Sequence, residues 1–294
     1  MRKLSTFLCT WACAAWALAG TLAPMNFVIF PDTPGRSLVE AAGKGDAKTV
    51  KSLLDRGVKV DEPGLGGLTA LPCAAAAGKT DVVKLLIDRG ADVHAPSNLA
   101  WGDSPLMLAI TSGHVDTVKL LIEKGANIHA ADKWGSPALI HAATIDQFEV
   151  VTLLIDKGAD LKAKDEEGRT VLAWAARYGR IDVIKTLLVK HLDVNSRAKN
   201  GWTPLMEAAH GGQSEAIKVL IANKADIHAK EIQNGWTGLM EAVFRGNHSA
   251  VKALIEGGAD LNARSSIGQT ALGVALTFDK KEIAELLRKH GGKE

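Results

Sequence analysis

A repeat with a period of 33 to 35 residues runs through most of this 294-residue chain and constrains its fold more than any other feature. Its clearest copies share a Gly-x-Thr-x-Leu pattern, and degenerate copies continue the series. Counting all copies, the Thr position falls at Arg36, Thr69, Ser104, Pro137, Thr170, Thr203, Thr237 and Thr270. The series predicts eight units, each too small to bury an apolar face alone and therefore stabilised by stacking on its neighbours.

Each unit encodes two short helices separated by a break. In the unit of Thr203, the small residues Ala208 and Ala209 are followed by Gly212 and then by Leu and Ile at helical spacing. Alanines allow close helix packing, the Leu and Ile stripe gives the second helix a buried face, and the glycine suits a helix end at positive φ. Acidic residues that favour the positive end of the helix dipole open most second helices, namely Asp81, Asp116, Glu149, Asp182, Glu215 and Glu282.

These motifs resemble ankyrin repeats. The resemblance is carried by Gly-Trp-Thr-Pro-Leu at 201–205, Val-Val-Lys-Leu-Leu-Ile at 82–87 and Gly-Ala-Asp-Val-His at 90–94, and it extends over residues 35–292. It implies an all-α ankyrin-repeat solenoid of helix-turn-helix units joined by β-hairpin loops, with capping units at about 35–66 and 268–292.

The chain departs from the family pattern at two kinds of position. The usual His after Thr-Pro-Leu is absent, with Met107, Met206 and Met240 in its place in three repeats, so its hydrogen bond to the Thr is expected to be missing or made otherwise. Helix-ending glycines are replaced at Asp146, His191 and Lys224. We expect lower local stability in those units because non-glycine residues disfavour positive φ.

A basic and then apolar segment precedes the repeats. Residues 1–19 combine Arg2 and Lys3 with an apolar run that ends in a small-x-small site, which predicts an export signal cleaved after Ala19. Residues 20–34, with three prolines, are expected to form a linker. The alternative is an uncleaved membrane anchor, which Gly20 and Pro24 disfavour by interrupting the run. The expected location is periplasmic or secreted, with membrane anchorage as the alternative.

The charge and the cysteines argue against two classes of protein. The formal net charge is +2, and Arg2 and Lys3 contribute both of these charges, so the remaining chain lacks the basic excess that nucleic-acid binding requires. Cys73 is the one cysteine outside the leader, so no intrachain disulfide is expected after cleavage. Cys73 is interpreted as a small packing residue.

No motif of a nucleotide, metal or hydrolase site occurs in the sequence, and no cofactor or metal is expected. Histidines recur in the loops, but other repeats carry Lys or Asn at that position, which favours loop hydrogen bonding over metal ligation. These positions are His94, His129, Lys162, Asn195, His228 and Asn262. Asn247 is interpreted either as a glycosylation acceptor in Asn-His-Ser or as a helix cap.

The resemblance implies that a partner contacts the concave side, at the hairpin tips and first-helix ends. Aromatic and Arg side chains, which are enriched at binding hot spots, occupy these positions. They are Trp101, Trp134, Arg169, Arg177, Tyr178, Trp202, His210, Trp236, Phe244, Arg245 and Phe278. The alternative is that the tryptophans brace neighbouring hairpins, and Trp174 is open to a core or a concave location.

The sequence therefore predicts an exported, monomeric, non-catalytic module that binds a partner protein as scaffold, adaptor or inhibitor. One alternative is a hydrolase or small-ligand-binding protein that uses a groove containing Glu207, His210 and Glu241. The repetition of Glu at one repeat position suits a repeated contact better than a single catalytic centre. A further alternative is self-association through a poorly capped end.

Overall fold

A computed structural model describes residues 33–95, 103–132 and 135–294. Within these residues the chain forms sixteen α-helices in eight pairs, and a short 3-10 turn at Leu65–Gly67. The chain divides into two compact units, with unit 1 ending at Ala159 and unit 2 comprising Asp160–Glu294. The all-α repeat fold expected from the sequence is confirmed. Residues 1–32, which contain the predicted signal and most of the predicted linker, lie outside the described residues, whereas Pro34, the last residue assigned to the linker, begins the first helix.

Unit 1 contains four helix pairs in which like helices stack on like. The first helices α1, α3, α5 and α7 pack in one row, and the second helices α2, α4, α6 and α8 pack in another. The pairs are α1 (Pro34–Lys44) with α2 (Ala47–Asp55), α3 (Ala70–Ala76) with α4 (Thr80–Asp88), α5 (Pro105–Thr111) with α6 (Val115–Glu123), and α7 (Ala138–Thr144) with α8 (Phe148–Asp156).

Unit 2 repeats this arrangement with four further pairs. Its first helices α9, α11, α13 and α15 stack in order, and α10, α12 and α14 form the second row. The pairs are α9 (Val171–Arg177) with α10 (Ile181–Val189), α11 (Pro204–Gly211) with α12 (Ser214–Ala222), α13 (Gly238–Arg245) with α14 (His248–Glu256), and α15 (Ala271–Thr277) with α16 (Lys281–Lys289).

The core repeats with the same period as the sequence. One leucine on each second helix from α4 onward is completely buried, and each contributes about 1.5–3 kcal/mol by leaving water. These are Leu86, Leu121, Leu154, Leu187, Leu220, Leu254 and Leu287. On the first helices, buried alanine pairs such as Ala142 with Ala143 and Ala208 with Ala209 allow the close stacking that was predicted.

Thr69 makes no cap bond, but in five other repeats the Thr or Ser that marks the repeat caps its first helix. Its side-chain oxygen accepts a hydrogen bond from the backbone N–H three residues later, which satisfies a donor that the helix terminus leaves free. The bond measures 3.2–3.4 Å at Ser104, Thr170, Thr203, Thr237 and Thr270. The donors to Thr203 and Thr237 are the backbone N–H groups of Met206 and Met240, so these hydroxyls have a partner without the family's His.

Several helix ends require a left-handed backbone whether or not glycine is present. The substituted positions Asp146, His191 and Lys224 have φ of 64°, 59° and 66°, and Asp279 has φ of 50°. The first three are the replaced glycines expected from the sequence, and Asp279 is a further one. Each non-glycine residue here adopts a conformation that costs free energy, because its Cβ crowds the backbone.

The loops between repeats contain very little β-structure. Where β-pairing occurs among the described residues, it is a single antiparallel bridge in place of the expected hairpin, observed at Ala131–Pro137, Lys164–Thr170 and Lys230–Thr237. In unit 2 the tips are joined across repeats, because the backbone N–H groups of Lys199, Ile232 and Ser266 donate to carbonyls of the preceding tip. Among the described residues, no helix is long and apolar enough to span a bilayer.

Candidate partner-binding surface

Nine of the eleven predicted contact residues lie in unit 2, and Trp101 and Trp134 lie outside the described residues. Three of the nine are on the hairpin arm immediately before a first helix, and the other six are at the ends of first helices. We call this set the helix-end surface, and its members are Arg169, Arg177, Tyr178, Trp202, His210, Trp236, Phe244, Arg245 and Phe278.

Hairpin and helix-end side chains pack together within each repeat. The Trp202 ring meets the His210 ring edge-on at a centroid distance of 5.3 Å, and Trp236 meets Phe244 in the same way at 5.4 Å. Trp202 and Trp236 are each only partly buried by these contacts. The two tryptophans therefore do brace their own repeats, and each retains an exposed part of its ring.

Aromatic contacts also join neighbouring repeats. The rings of Phe244 and Phe278 meet edge-on at 4.7 Å, and the guanidinium of Arg245 lies 5.8 Å from the Phe244 ring. Phe278 remains 42% exposed although it makes this contact. Such edge-on contacts fix ring orientation, so Trp236, Phe244 and Phe278 form a connected row with a partly exposed outer side.

A chain of alternating charges runs beside the aromatic row. Arg177 Nη1 lies 2.6 Å from Glu207 Oε2, and Arg177 Nη2 lies 2.7 Å from His210 Nε2. His210 Nδ1 lies 2.7 Å from Glu241 Oε1, which also accepts from Arg245 Nε at 3.1 Å. The Glu207 and Glu241 side chains are nearly buried, at 3% and 10% exposure. The network connects the first helices α9, α11 and α13.

One tautomer of His210 agrees with its two shortest hydrogen bonds, although Arg245 Nε and Nη2 also lie 3.2 and 3.0 Å from Nδ1. Nδ1–H can donate to Glu241, which leaves the Nε2 lone pair to accept from Arg177. Arg245 Nη2 also lies 2.8 Å from Nε2. A second ring proton would face two guanidinium donors, so the geometry supports a neutral imidazole. The network then contains two cations and two anions and has no net charge.

Opposing effects act on the Glu241 carboxyl. Burial raises its pKa, while the hydrogen bonds from His210 and Arg245 and the positive charge of Arg245 lower it. The lowering effects prevail, so the pKa of Glu241 lies below the ordinary value of a glutamate. Glu241 is therefore ionised at neutral pH, and it holds Arg245 in place.

Asp165 organises the first part of the helix-end surface, although the sequence analysis did not identify it. Its side chain is 1% exposed and accepts from the Arg169 backbone N–H and Nε and from Trp174 Nε1, each at 2.9 Å. Trp174 is 3% exposed and stacks on Tyr178 with a centroid distance of 5.9 Å. The open question about Trp174 is thus answered, because it belongs to the core and supports Arg169 and Tyr178.

A sequence signal for this arrangement exists but is weak. Asp132 and His141 in unit 1 have the same nine-residue separation as Asp165 and Trp174, and their side chains are joined by a hydrogen bond of 3.0 Å. In both cases a buried carboxylate at the hairpin accepts from a ring nitrogen on the first helix. Recognising the pair requires knowing beforehand that the two positions face each other.

The loop histidines take part in turns through their backbones. The N–H groups of His94, His129 and His228 donate at 2.9–3.0 Å to the side chain two residues earlier. Lys162, Asn195 and Asn262 donate in the same way in the repeats without histidine. These bonds are made by the backbone and not by the imidazoles, so the interpretation of the histidine side chains stays a prediction. Among the described residues, no cluster of three His, Cys, Asp or Glu side chains could hold a metal ion.

Asn247 does not cap the helix that it precedes. It occupies the N-cap position of α14, but its side-chain amide donates to the carbonyls of Ala209 and His210 at 3.0 and 3.1 Å. Gln213 similarly reaches the carbonyl of Arg177, at 3.4 Å. The interpretation of Asn247 as a cap is thus wrong for α14. Its amide instead donates to carbonyls at the end of α11, the first helix of the preceding repeat. The glycosylation alternative stays untested.

The comparison with protein families agrees with this geometry. A family model described as ankyrin repeats matches three times, at residues 38–132, 139–231 and 220–294, and so covers well over half of the chain. A comparison with curated proteins finds no match.

Proposed function

Because this chain belongs to the ankyrin-repeat family, we propose that it is an exported binding module that contacts a partner protein through the helix-end surface of unit 2. Ankyrin repeats indicate a protein–protein interaction module. The proposal adds the compartment, the surface, and a role as scaffold, adaptor or inhibitor, in which the monomeric module holds its partner without chemical change.

The observation that carries the proposal is the fixed, partly exposed row of aromatic and arginine side chains. Trp202 packs on His210, Trp236 on Phe244 and Phe244 on Phe278, so these rings lose little conformational freedom on binding. Preorganised aromatic groups make efficient hot spots, because they exclude water over a large area at low entropic cost. A central contact of this kind contributes on the order of 2 kcal/mol or more.

The charge network supports binding better than hydrolysis. Glu207, His210 and Glu241 do come together, as a hydrolytic centre would require. A general base must have a nitrogen lone pair directed at the proton that it removes. Nε2 of His210 is instead directed at Arg177 and Arg245, which donate to it. We therefore propose no catalytic role for these residues.

The binding test compares one double variant with one single control variant, both in the full chain. Trp202→Ala with Trp236→Ala is expected to weaken binding of partners captured from the exported compartment by about 30-fold or more, the effect of a single hot-spot truncation of about 2 kcal/mol. Phe148→Ala is the matched control, since Phe148 is an exposed aromatic on unit 1. Circular dichroism verifies the fold. Unchanged affinity of the double variant for every captured partner would contradict the surface assignment.

A separate experiment addresses export. The leader predicts that the chain from its native host begins at Gly20 and is recovered in the periplasmic or secreted fraction. Amino-terminal sequencing after fractionation measures both properties. A chain that begins at Met1 and stays in the cytoplasmic fraction would contradict export, whereas a chain that begins at Met1 in the membrane fraction would support the anchor.

A further inference from the structure

A second surface of unit 2 carries one basic side chain per repeat. We call Lys164, Arg197, Lys230 and Arg264 the basic strip. All four are exposed, and each lies six or seven residues before the residue that caps the next first helix. The strip belongs to unit 2 alone among the described residues, since the aligned positions in unit 1 are Pro63 and Ala131.

The basic strip lies on the other side of the hairpins from the helix-end surface. Each strip residue is followed immediately by an inward-facing one, such as Asp165 after Lys164 or Glu231 after Lys230, and both of these acidic residues are buried. Adjacent residues of an extended arm point to opposite faces. Because Asp165 points to Trp174 on α9, Lys164 points away from that helix.

Main-chain carbonyls hold the strip residues in register. Lys164 Nζ donates to the carbonyl of Arg197 at 3.4 Å, Arg197 Nη1 to that of Lys230 at 3.0 Å, and Lys230 Nζ to that of Arg264 at 2.7 Å. Arg264 in turn donates to the carbonyl of Gly268 and to the α-carboxylate of Glu294, so Arg264 differs from the other three in having an anionic partner. Each basic group therefore sits at a spacing set by the repeat itself.

The positive charge of the strip is not balanced by side-chain carboxylates. In the part of the chain that the structure describes, no Asp or Glu side chain forms an ion pair with Lys164, Arg197 or Lys230, whereas Arg169, Arg177 and Arg245 on the helix-end surface all do. A carbonyl oxygen accepts a hydrogen bond without neutralising the cation. Acceptors that carry a full negative charge form stronger bonds to such donors.

From these observations we propose that the basic strip binds an extended acidic peptide segment with a carboxylate at every third residue. Stacked helices lie about 8–10 Å apart, which sets the spacing of the strip. Three residues of an extended or polyproline II chain cover about 9–10 Å. A glutamate or aspartate at each third position would thus meet one basic group per repeat.

The surroundings of the strip favour a peptide over a nucleic acid. A row of exposed aspartates lies four residues before the strip positions, at Asp160, Asp193, Asp226 and Asp260. A polyphosphate carries charge along its whole width and would be repelled by that row, and four cationic contacts supply little of the counterion release on which its binding depends. A single peptide chain can direct its carboxylates to the basic strip alone.

The test uses the full chain and a labelled (Glu-Pro-Pro)4 peptide, with fluorescence anisotropy as the measurement. Polyproline II geometry places its glutamates at the required spacing. Lys164→Gln with Lys230→Gln removes two charges but keeps an N–H donor on each side chain, and is expected to weaken binding about tenfold. Lys185→Gln with Lys190→Gln makes the same charge change on exposed residues outside the strip and is expected to leave binding unchanged.

Three outcomes would overturn the proposal. One is equal affinity of the wild-type chain and the strip variant for the peptide. Another is equal affinity for a peptide of the same composition with its four glutamates in one block, which would show that spacing is irrelevant. The third is tighter binding of a single-stranded oligonucleotide than of the peptide. Trp202→Ala with Trp236→Ala is expected to leave peptide binding intact, so this inference stands or fails separately from the proposed function.

Discussion

Unit 1 and unit 2 use the same helical frame and differ in what they present at equivalent surface positions. Where unit 2 has aromatic and charged groups, unit 1 has small or neutral ones for the most part. At the helix-end position, unit 1 has Ala76, Thr111 and Thr144, and unit 2 has Arg177, His210 and Phe244. On the hairpin arm, the series is Leu68, Asp103 and Ser136 in unit 1, and Arg169, Trp202 and Trp236 in unit 2.

The small helix-end residues of unit 1 are directed to their own helices. Thr111 Oγ1 donates to the carbonyl of Met107 at 3.0 Å, and Thr144 Oγ1 donates to that of His141 at 2.8 Å. In unit 2 the corresponding Arg177 and His210 contact the next repeat instead. Buried Leu and Ala positions therefore determine the fold of both units, while a few exposed positions decide which unit can present a binding surface.

The largest expected difference between the units concerns Trp174 and its unit 1 counterpart His141. Trp174→Ala removes a large buried ring and one hydrogen bond to Asp165, and is expected to lower the free energy of unfolding by about 3–5 kcal/mol. His141→Ala breaks the equivalent bond to Asp132, but the His141 side chain is 24% exposed, so we expect about 1–2 kcal/mol. Urea unfolding measures both, and equal losses would refute the asymmetry.

A second pair of variants tests whether charged residues of the network can be replaced by the apolar residues found at the aligned positions of unit 1. Glu207→Leu introduces the residue found at the aligned Leu108 and leaves Arg177 without its carboxylate, at a cost of about 2 kcal/mol once the partial exposure of Arg177 is considered. Adding Arg177→Ala, after the aligned Ala76, is expected to recover about half of that loss. Urea unfolding measures both variants. A lower free energy of unfolding in the double variant than in Glu207→Leu would contradict the expected recovery.

The acid stability of unit 2 provides a third test. Because the pKa of Glu241 is lowered on folding, its ionised form stabilises the fold above the ordinary glutamate pKa, and this stabilisation is lost as pH falls through the lowered value. The difference in free energy of unfolding between wild type and Glu241→Gln should therefore shrink as pH falls below about 4. A difference that grows toward low pH would have the wrong sign.

The smallest expected effect compares one helix end in each unit. Lys224 in unit 2 and Gly158 in unit 1 end second helices with φ of 66° and 88°. Lys224→Gly should raise the free energy of unfolding by about 0.5–1 kcal/mol, and Gly158→Lys should lower it by about 1 kcal/mol. A Cβ at Gly158 would meet no neighbouring atom, so the backbone conformation alone is tested. Thermal unfolding of both variants measures these changes. Midpoint shifts of the same sign would contradict the explanation from backbone conformation.

Much of the fold is predictable because one period fixes many residues together. The helix pairs, the capping threonines and the acidic first turns all follow from in-phase copies, so an error in one copy is corrected by the others. Asp279 lies 33 residues after Gly246, so the register that identifies Asp146 as a replaced glycine also predicts a left-handed backbone at Asp279.

The candidate surface was predictable by position but not by interaction. The sequence places Glu207, His210 and Glu241 in register, yet their hydrogen bonds depend on rotamers and on side chains from three helices. Asp165 was overlooked for a related reason, since an isolated carboxylate in a loop is ordinarily exposed and this one is buried. Asn247 shows the same limit, because its partners lie 37 and 38 residues earlier in the chain.

The side-chain amides of Gln213 and Asn247 both donate to carbonyls of the preceding repeat, so these hydrogen bonds all run in one direction along the chain. Each amide completes a helix that was synthesised earlier, so the newest repeat on a ribosome remains unfinished until its successor emerges. Shortening the gene from its 3′ end would uncover these carbonyls in the last remaining repeat, whereas shortening it from the 5′ end would leave the first remaining amide without its acceptors. Duplication of whole repeats preserves every such junction, and this favours growth of the gene in complete 33-residue steps.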